Sequence, residues 1–73
     1  MTGGPENLQV VVNGRLQDLA AGTTLSALLA ELKVPSKGVA VEVNEQIVPR
    51  ASHDSWQLKS GDRVEVVSFV GGG

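Results

Sequence analysis

The stretch AAGTTLSALLAELKVP, residues 20–35, carries the strongest structural signal in this chain of 73 residues. Four of its leucines are spaced as on one face of an α-helix: Leu25, Leu28, Leu29 and Leu32. The hydroxyl group of Thr23 or Thr24 can accept a hydrogen bond from a free N–H of the first helical turn. Because Pro35 disfavours helical geometry in the residue before it, the helix should end near Lys33, after about three turns.

A β-hairpin is predicted on the N-terminal side of this helix, in residues 8–19. Its first strand places alternate apolar residues on one face: Leu8, Val10 and Val12. Asn13 and Gly14 are typical of a two-residue hairpin turn, because both tolerate positive φ. A second strand at residues 15–19 should therefore return antiparallel to the first.

Two strands are predicted directly after the helix. Three valines alternate with other residues, as in a half-buried strand: Val39, Val41 and Val43. Asn44 and Glu45 then resemble a tight turn into a short strand at residues 46–48. Pro49 should end the pairing of that strand, because proline has no N–H to donate.

The last third of the chain is predicted to cross over and end in a strand. Residues 50–58 have no clear period, so we expect an irregular segment with one helical turn, anchored by Trp56 or Leu58. KSGD at residues 59–62 is typical of a turn. RVEVVSFV at residues 63–70 is the predicted last strand.

The predicted order β-β-α-β-β-β indicates an α+β domain, in which one helix packs across one face of a mixed sheet. The right-handed crossover rule predicts that the strand after the helix runs parallel to a strand of the first hairpin. This arrangement is the β-grasp, or ubiquitin-like, fold. We expect a lead-in at residues 1–7, the β-grasp domain at 8–70 and a glycine tail at 71–73.

The length of the chain argues against an enzyme, because 73 residues leave little scaffold for a catalytic pocket. The net charge of −2, with both signs scattered, argues against nucleic acid as the main partner. No apolar run approaches the roughly 20 residues of a membrane span. The N-terminus lacks the pattern of a signal peptide, so we expect a cytoplasmic protein and no membrane partner.

Catalytic and metal-binding signals are weak. His53 is followed by Asp54 and Ser55, but a catalytic triad is built in space and not from sequence neighbours. With one histidine, no cysteine and scattered acids, no metal-ligand spacing is recognisable. We therefore predict that His53 is a solvated loop residue and that the chain has no catalytic residue, metal site or bound cofactor.

The three terminal glycines, Gly71, Gly72 and Gly73, have two interpretations. They could be a loose end or a cloning remnant. Alternatively, they could carry a working carboxylate, because a terminal carboxyl group has an ordinary pKa of about 3.5 and is ionised at neutral pH. Such a carboxylate can attack the α-phosphorus of ATP, and glycine permits close approach to a partner's buried site. The tail alone leaves both interpretations open.

The last strand adds a docking hypothesis. If Val64 and Val66 face the core, Val67 and Phe69 lie on the opposite face beside the tail. We expect Val67, Phe69 and Val70 to form an apolar docking surface for a partner. Two alternatives remain: isolated exposed apolar residues are common, and a β-bulge could exchange the two faces.

Five segments together resemble the ThiS family of sulfur-carrier proteins of thiamine biosynthesis. They are VNG at 12–14, GTTLSALLAEL at 22–32, VAVEVNEQIVPR at 39–50, LKSGDRVEVVSFV at 58–70 and the final glycines. The pattern VNxxIVPR and the ending GDRVEVVxFVGGG are the most specific parts. Family members end on Gly-Gly, so Gly71 is an additional residue here.

This resemblance implies a reaction cycle at Gly73. A ThiF-like adenylyltransferase would adenylate its carboxylate with ATP and Mg²⁺, and a cysteine desulfurase or other donor would supply sulfur to form a thiocarboxylate. Thiazole synthase would then take the sulfur. The carrier is thus expected to be a protein cosubstrate and a monomer when free. Alternatives are a carrier for molybdopterin synthesis, a ubiquitin-like modifier, or an interaction module with an idle tail.

Overall fold

Five strands and one α-helix make up the part of the chain that the computed structural model describes, residues 7–35 and 37–68. The elements are β1 (Asn7–Val12), β2 (Arg15–Ala20), α1 (Leu25–Glu31), β3 (Val39–Val43), β4 (Gln46–Ile47) and β5 (Arg63–Ser68). A short 3₁₀ helix at Arg50–Ser52 lies between β4 and β5. The predicted order of elements is confirmed, including the single helical turn in the irregular segment.

The strands form one mixed sheet in the order β2-β1-β5-β3-β4. β5 lies at its centre, parallel to β1 and antiparallel to β3. β3 therefore runs parallel to β2, as the crossover rule predicts, but β1 and β5 lie between them. The rule concerns the hand of a connection between parallel strands and leaves open which strands lie between them. The last strand takes the central place: its first two residues, Arg63 and Val64, pair with β1, and Val64 to Ser68 pair with β3.

Both predicted hairpin turns are confirmed by their backbone angles. Asn13 and Gly14 have φ values of 48° and 84°, and Asn44 and Glu45 have values of 53° and 71°. Positive φ at both central positions is the geometry of the turn that matches the twist of paired strands. β4 contains two residues, fewer than the predicted three, although the N–H of Val48 still donates to Val41 O at 2.9 Å.

The helix begins after Thr24, whose Oγ1 accepts a hydrogen bond from the N–H of Ala27 at 3.1 Å. It ends at Glu31 and is shorter than predicted. The chain leaves the helical conformation at Lys33, two residues before Pro35. Lys33 has a φ of 61°, and its N–H donates to Ala30 O at 3.1 Å. The next N–H, from Val34, donates to Leu29 O at 2.9 Å. These two bonds close a Schellman motif, in which a left-handed residue ends the helix.

The core lies between the helix and one face of the sheet. Its buried residues are Val10, Val12, Leu19, Leu25, Leu28, Leu29, Val41, Val43, Val48, Leu58 and Val64. Leu32, Trp56 and Val66 are half-buried against this cluster. Both predicted anchors of the irregular segment, Trp56 and Leu58, thus contribute to the core.

Among residues 7–35 and 37–68, no helix is long and apolar enough to cross a membrane.

Candidate functional site

The last strand has the two faces that the alternation of its residues predicts. Val64 is fully buried and Val66 is half-buried against the core, whereas 49% of the surface of Val67 is exposed. The β3–β5 register is continuous from Val39↔Ser68 to Val43↔Val64, so no bulge exchanges the faces within this span. Phe69 and Val70 lie outside the described residues, as do Gly71, Gly72 and Gly73. Their predicted roles in docking and sulfur transfer stay predictions.

Val67 shares its face of the sheet with other exposed apolar side chains. Leu16 pairs with Val11 in the hairpin, and Ile47 pairs with Glu42, which in turn pairs with Glu65 of β5. Paired residues point to the same side of a sheet, so these side chains all lie opposite the helix. We call this the helix-free face; it carries Asn7, Gln9, Val11, Leu16, Asp18, Ala20, Ala40, Glu42, Ile47, Arg63, Glu65 and Val67.

The helix-free face holds the three large apolar side chains with the greatest exposure in the described part of the chain. Leu16 is 63% exposed and Ile47 is 69% exposed, against 49% for Val67. Three such residues on one face form a candidate docking surface around a charged centre. The sequence analysis identified Val67 and missed Leu16 and Ile47, because their shared face becomes visible only when the strands are placed in register.

Two turn asparagines fix β5 from its two sides. On the β3 side, Asn44 Oδ1 accepts from the N–H of Arg63 at 3.0 Å, and the Asn44 N–H donates to Arg63 O at 2.8 Å. On the β1 side, the Asn13 N–H donates to Val64 O at 2.9 Å, and Asn13 Oδ1 accepts from the N–H of Val66 at 2.8 Å. The sequence indicated only the turn-forming role of these residues. Their side chains also hold the strand that leads to the tail.

Asp62 anchors the beginning of β5 and is the only buried charged or polar side chain among the described residues. Its carboxylate accepts from Asn44 Nδ2 at 2.9 Å and from the N–H of Lys59 at 2.8 Å. Its carbonyl oxygen accepts from the N–H of Val11 at 2.9 Å. The predicted turn at residues 59–62 is confirmed, with Gly61 at a φ of 92°. A buried carboxylate needs such partners, and here they join three segments of the chain.

His53 is half-buried, which corrects the prediction of a solvated loop residue. Its Nε2 lies 3.1 Å from the carbonyl oxygen of Val48, and its own carbonyl accepts from the N–H of Ser26 at 3.0 Å. These bonds attach the residue that ends the 3₁₀ helix to α1 and to the residue that follows β4. A shallow cavity of about 300 Å³ lies beside it, lined in part by Leu29, Val39 and Arg50.

The neighbours of His53 do not complete a catalytic arrangement. The Ser55 hydroxyl donates to Ser52 O at 3.3 Å, and Asp54 is exposed. A triad requires the serine, the histidine and the acid to be joined in one chain of hydrogen bonds. The described residues also contain no cluster of three or more His, Cys, Asp or Glu side chains that could hold a metal ion.

Comparison with known proteins gives a consistent family. The ThiS family matches residues 10–73. The sulfur carrier protein ThiS of Escherichia coli (strain K12) is 32% identical over 90% of this chain and 100% of its own length. A thiazole synthase of Paramagnetospirillum magneticum is 44% identical over 90% of this chain. This chain covers only 20% of the length of that synthase.

A solved structure agrees with the fold. The crystal structure of the thiamine biosynthesis protein ThiS from Geobacter metallireducens superposes with a TM-score of 0.77, at 35% sequence identity. The alignment covers 90% of this chain and 100% of that one. The predicted β-grasp fold is thereby confirmed. Because the family match extends over residues 10–73 and a relative is covered at its full length, this chain belongs to the ThiS family.

Proposed function

We propose that this protein is a sulfur carrier that holds sulfur as a thiocarboxylate at Gly73 and donates it to the thiazole ring of thiamine. The observation that carries the proposal is the ThiS family match, which runs through residue 73 and so includes the terminal glycines. The position of β5 supports it, because the strand that leads to these glycines is the central one of the sheet. A short glycine segment after a paired strand lets the carboxylate enter a narrow site, because glycine has no side chain.

The chemistry begins with activation of a poor electrophile. A carboxylate oxygen of Gly73 attacks the α-phosphorus of ATP, and pyrophosphate leaves with the β- and γ-phosphates. If the donor supplies hydrosulfide, its sulfur attacks the acyl carbon, AMP leaves, and a thiocarboxylate and a proton remain. If the donor is a cysteine desulfurase, the outer sulfur of its persulfide attacks and AMP leaves; a thiol reductant then supplies two electrons, cleaving the acyl disulfide to the thiocarboxylate and becoming a disulfide itself. The carrier supplies the reacting carboxylate, while the activating partner supplies the site for ATP and Mg²⁺. The carrier itself is a protein cosubstrate and holds no cofactor.

Three partners follow from this chemistry: a ThiF-like adenylyltransferase, a cysteine desulfurase or other sulfur donor, and thiazole synthase. The match to relatives named thiazole synthase supports the last of these.

We propose that the adenylyltransferase docks on the exposed apolar side chains of the helix-free face. Val67 lies at the end of that face nearest the tail, with Phe69 and Val70 following it. A monomeric, cytoplasmic carrier fits an ATP-dependent cycle with several successive partners.

The test is direct. The purified chain is incubated with a ThiF-like enzyme, ATP, Mg²⁺ and a sulfur donor, and its intact mass is then measured. The expected product has gained the mass difference between sulfur and oxygen, located by fragmentation at Gly73. A variant lacking Gly72 and Gly73 is the control and should stay unchanged. Unmodified full-length chain, under conditions in which the same enzyme modifies a known carrier, would refute the proposal.

The acceptor branch needs a separate test. Affinity capture with the thiocarboxylated chain should recover thiazole synthase. Recovery of the large subunit of molybdopterin synthase in its place would move the carrier to the molybdopterin branch. Finding Gly73 in isopeptide linkage to lysine side chains of cellular proteins would make it a ubiquitin-like modifier.

A further inference from the structure

β5 extends beyond its neighbour β1. The β1–β5 register ends at Val12↔Val64, whereas the β3–β5 register continues to Val39↔Ser68. On the β1 side, the chain leaves the sheet at Asn13 to form the hairpin turn. The next residue of β5 whose backbone N–H and C=O face the β1 side is Val66, and a side chain binds it where a strand would otherwise do so.

That side chain belongs to Asn13. Its Oδ1 accepts from the N–H of Val66 at 2.8 Å, and its Nδ2 lies 3.4 Å from Val66 O, at the long end of hydrogen-bond range. A side-chain amide offers a carbonyl oxygen as acceptor and an NH₂ group as donor, so it can replace the C=O and N–H groups of a neighbouring strand. The side chain of Asn13 thus takes the place of one further residue of β1 and pairs with the backbone of Val66.

The turn itself does not require this amide. Asn13 has a φ of 48° and precedes Gly14, and glycine or aspartate also satisfies the first position of such a turn. Only a side chain with a well-placed acceptor holds the Val66 N–H. An asparagine at position 13 therefore has two roles: it adopts the positive φ of the turn, and its side chain binds the last strand.

Asn44 provides a useful contrast. It also occupies a turn with positive φ, at 53°, but its side chain binds Asp62 and the N–H of Arg63, at the beginning of β5. Asn13 binds Val66, which is seven residues before Gly73. The two asparagines therefore hold opposite ends of one strand, and only Asn13 acts near the exit of the tail.

We infer that Asn13 is a positioning residue for the reaction at Gly73: by pairing with Val66, it fixes the direction in which β5 delivers the tail to the activating enzyme. This inference rests on the proposed function. A reacting carboxylate must be held close to its target atom, and a displacement of about 1 Å can lower a rate by as much as a hundredfold. Fixing the strand in the free carrier also reduces the ordering that binding would otherwise require.

The experiment compares three variants with the unaltered protein in adenylation by a ThiF-like enzyme with ATP and Mg²⁺. Asn13→Gly keeps the positive φ and removes both side-chain bonds. Asn13→Asp keeps the turn and an acceptor for the Val66 N–H. Asn44→Gly makes the same change at the other turn and serves as the control. All rates are measured at a temperature where circular dichroism shows every variant folded.

We expect Asn13→Gly to lower kcat about tenfold and to change KM less than about twofold, because the helix-free face is intact. Amide hydrogen exchange at Val66 should become faster in this variant. Asn13→Asp should restore most of kcat and the protection of Val66. Asn44→Gly should lose stability while its kcat stays within about twofold of the unaltered protein.

Two results would overturn the inference and leave the proposed function standing. One is faster exchange at Val66 in Asn13→Gly with an unchanged kcat, which would mean that the pairing is irrelevant to delivery. The other is a loss of kcat in Asn44→Gly as large as that in Asn13→Gly, with the same free energy of unfolding in both variants. That result would mean that any destabilisation of β5 lowers the rate, whichever residue causes it. If the unaltered protein is not adenylated at all, the proposed function fails first, and the inference fails with it.

Discussion

Asn44 Nδ2 donates a hydrogen bond to Asp62 Oδ1 over 2.9 Å, and so links the second hairpin turn to the residue that precedes β5. The other carboxylate oxygen of Asp62 accepts from the N–H of Lys59 at 2.8 Å. Asp62 is only 9% exposed, and both oxygens of its carboxylate are thus bound by neutral donors. The arrangement fixes where the last strand starts, and its energetic value can be measured.

The first prediction concerns the stability that Asp62 provides. Asp62→Ala leaves Asn44 Nδ2 and the N–H of Lys59 without their acceptor, so we expect the free energy of unfolding to fall by about 2–3 kcal/mol. Urea denaturation followed by circular dichroism measures this change. Asp54→Ala is the matched control, because Asp54 is exposed, and it should change stability by less than about 0.5 kcal/mol. Equal effects of the two substitutions would contradict the role assigned to Asp62.

The second prediction concerns the start of the helix. Thr24 Oγ1 accepts from the Ala27 N–H at 3.1 Å, so Thr24→Ala should lower the free energy of unfolding by about 1 kcal/mol. Thr24→Ser keeps the hydroxyl group and should recover most of this loss. The comparison is made by urea denaturation of both variants. If serine is as destabilising as alanine, the methyl group and not the cap explains the effect.

The third prediction tests the packing of the helix. Leu28 is fully buried, so Leu28→Ala should lower the free energy of unfolding by about 2–5 kcal/mol, through lost burial and a residual cavity. Leu16→Ala removes the same atoms from a side chain that is 63% exposed and should cost less than about 1 kcal/mol. Chemical denaturation of both variants measures these free energies of unfolding. Similar losses would mean that Leu16 is buried in solution, contrary to its place on the helix-free face.

Much of the fold follows from local sequence patterns. The leucine spacing, the Asn-Gly turn and the alternating valines predicted the helix and the strands, because each depends on neighbours within a few residues. The end of the helix was wrong by two residues. Pro35 was the visible stop signal, but the Schellman motif at Lys33 and Val34 acts earlier. Lysine at the left-handed position carries no pattern comparable to glycine, so the sequence did not reveal it.

The candidate site was harder to predict than the fold, because it depends on strand order. Asn13 and Asn44 were recognised as turn residues, whereas their bonds to β5 require that the last strand lies between β1 and β3. The helix-free face has the same origin: Leu16 and Ile47 join Val67 only through the pairing of five strands. Local patterns therefore identified Asn13, Asn44 and Val67, but neither the bonds of the two asparagines to β5 nor the place of Leu16 and Ile47 beside Val67.

The last prediction concerns docking on the helix-free face. Val67 is 49% exposed at the end of this face nearest the tail, so Val67→Asp should leave the free energy of unfolding within about 1 kcal/mol of the original value. It should raise the KM of adenylation by a ThiF-like enzyme about tenfold, because a charge must be desolvated at the contact. Phe69→Asp should act in the same direction.

Leu16→Asp is the matched control for this prediction, because it places the same charge on the same face, two strands away from β5. If docking is centred beside the tail, its KM rises less than that of Val67→Asp. Equal increases would extend the docking surface across the whole sheet. An unchanged KM in Val67→Asp and Phe69→Asp together would show that recognition does not use this side of the carrier. Unfolding by Phe69→Asp would instead place Phe69 in the core.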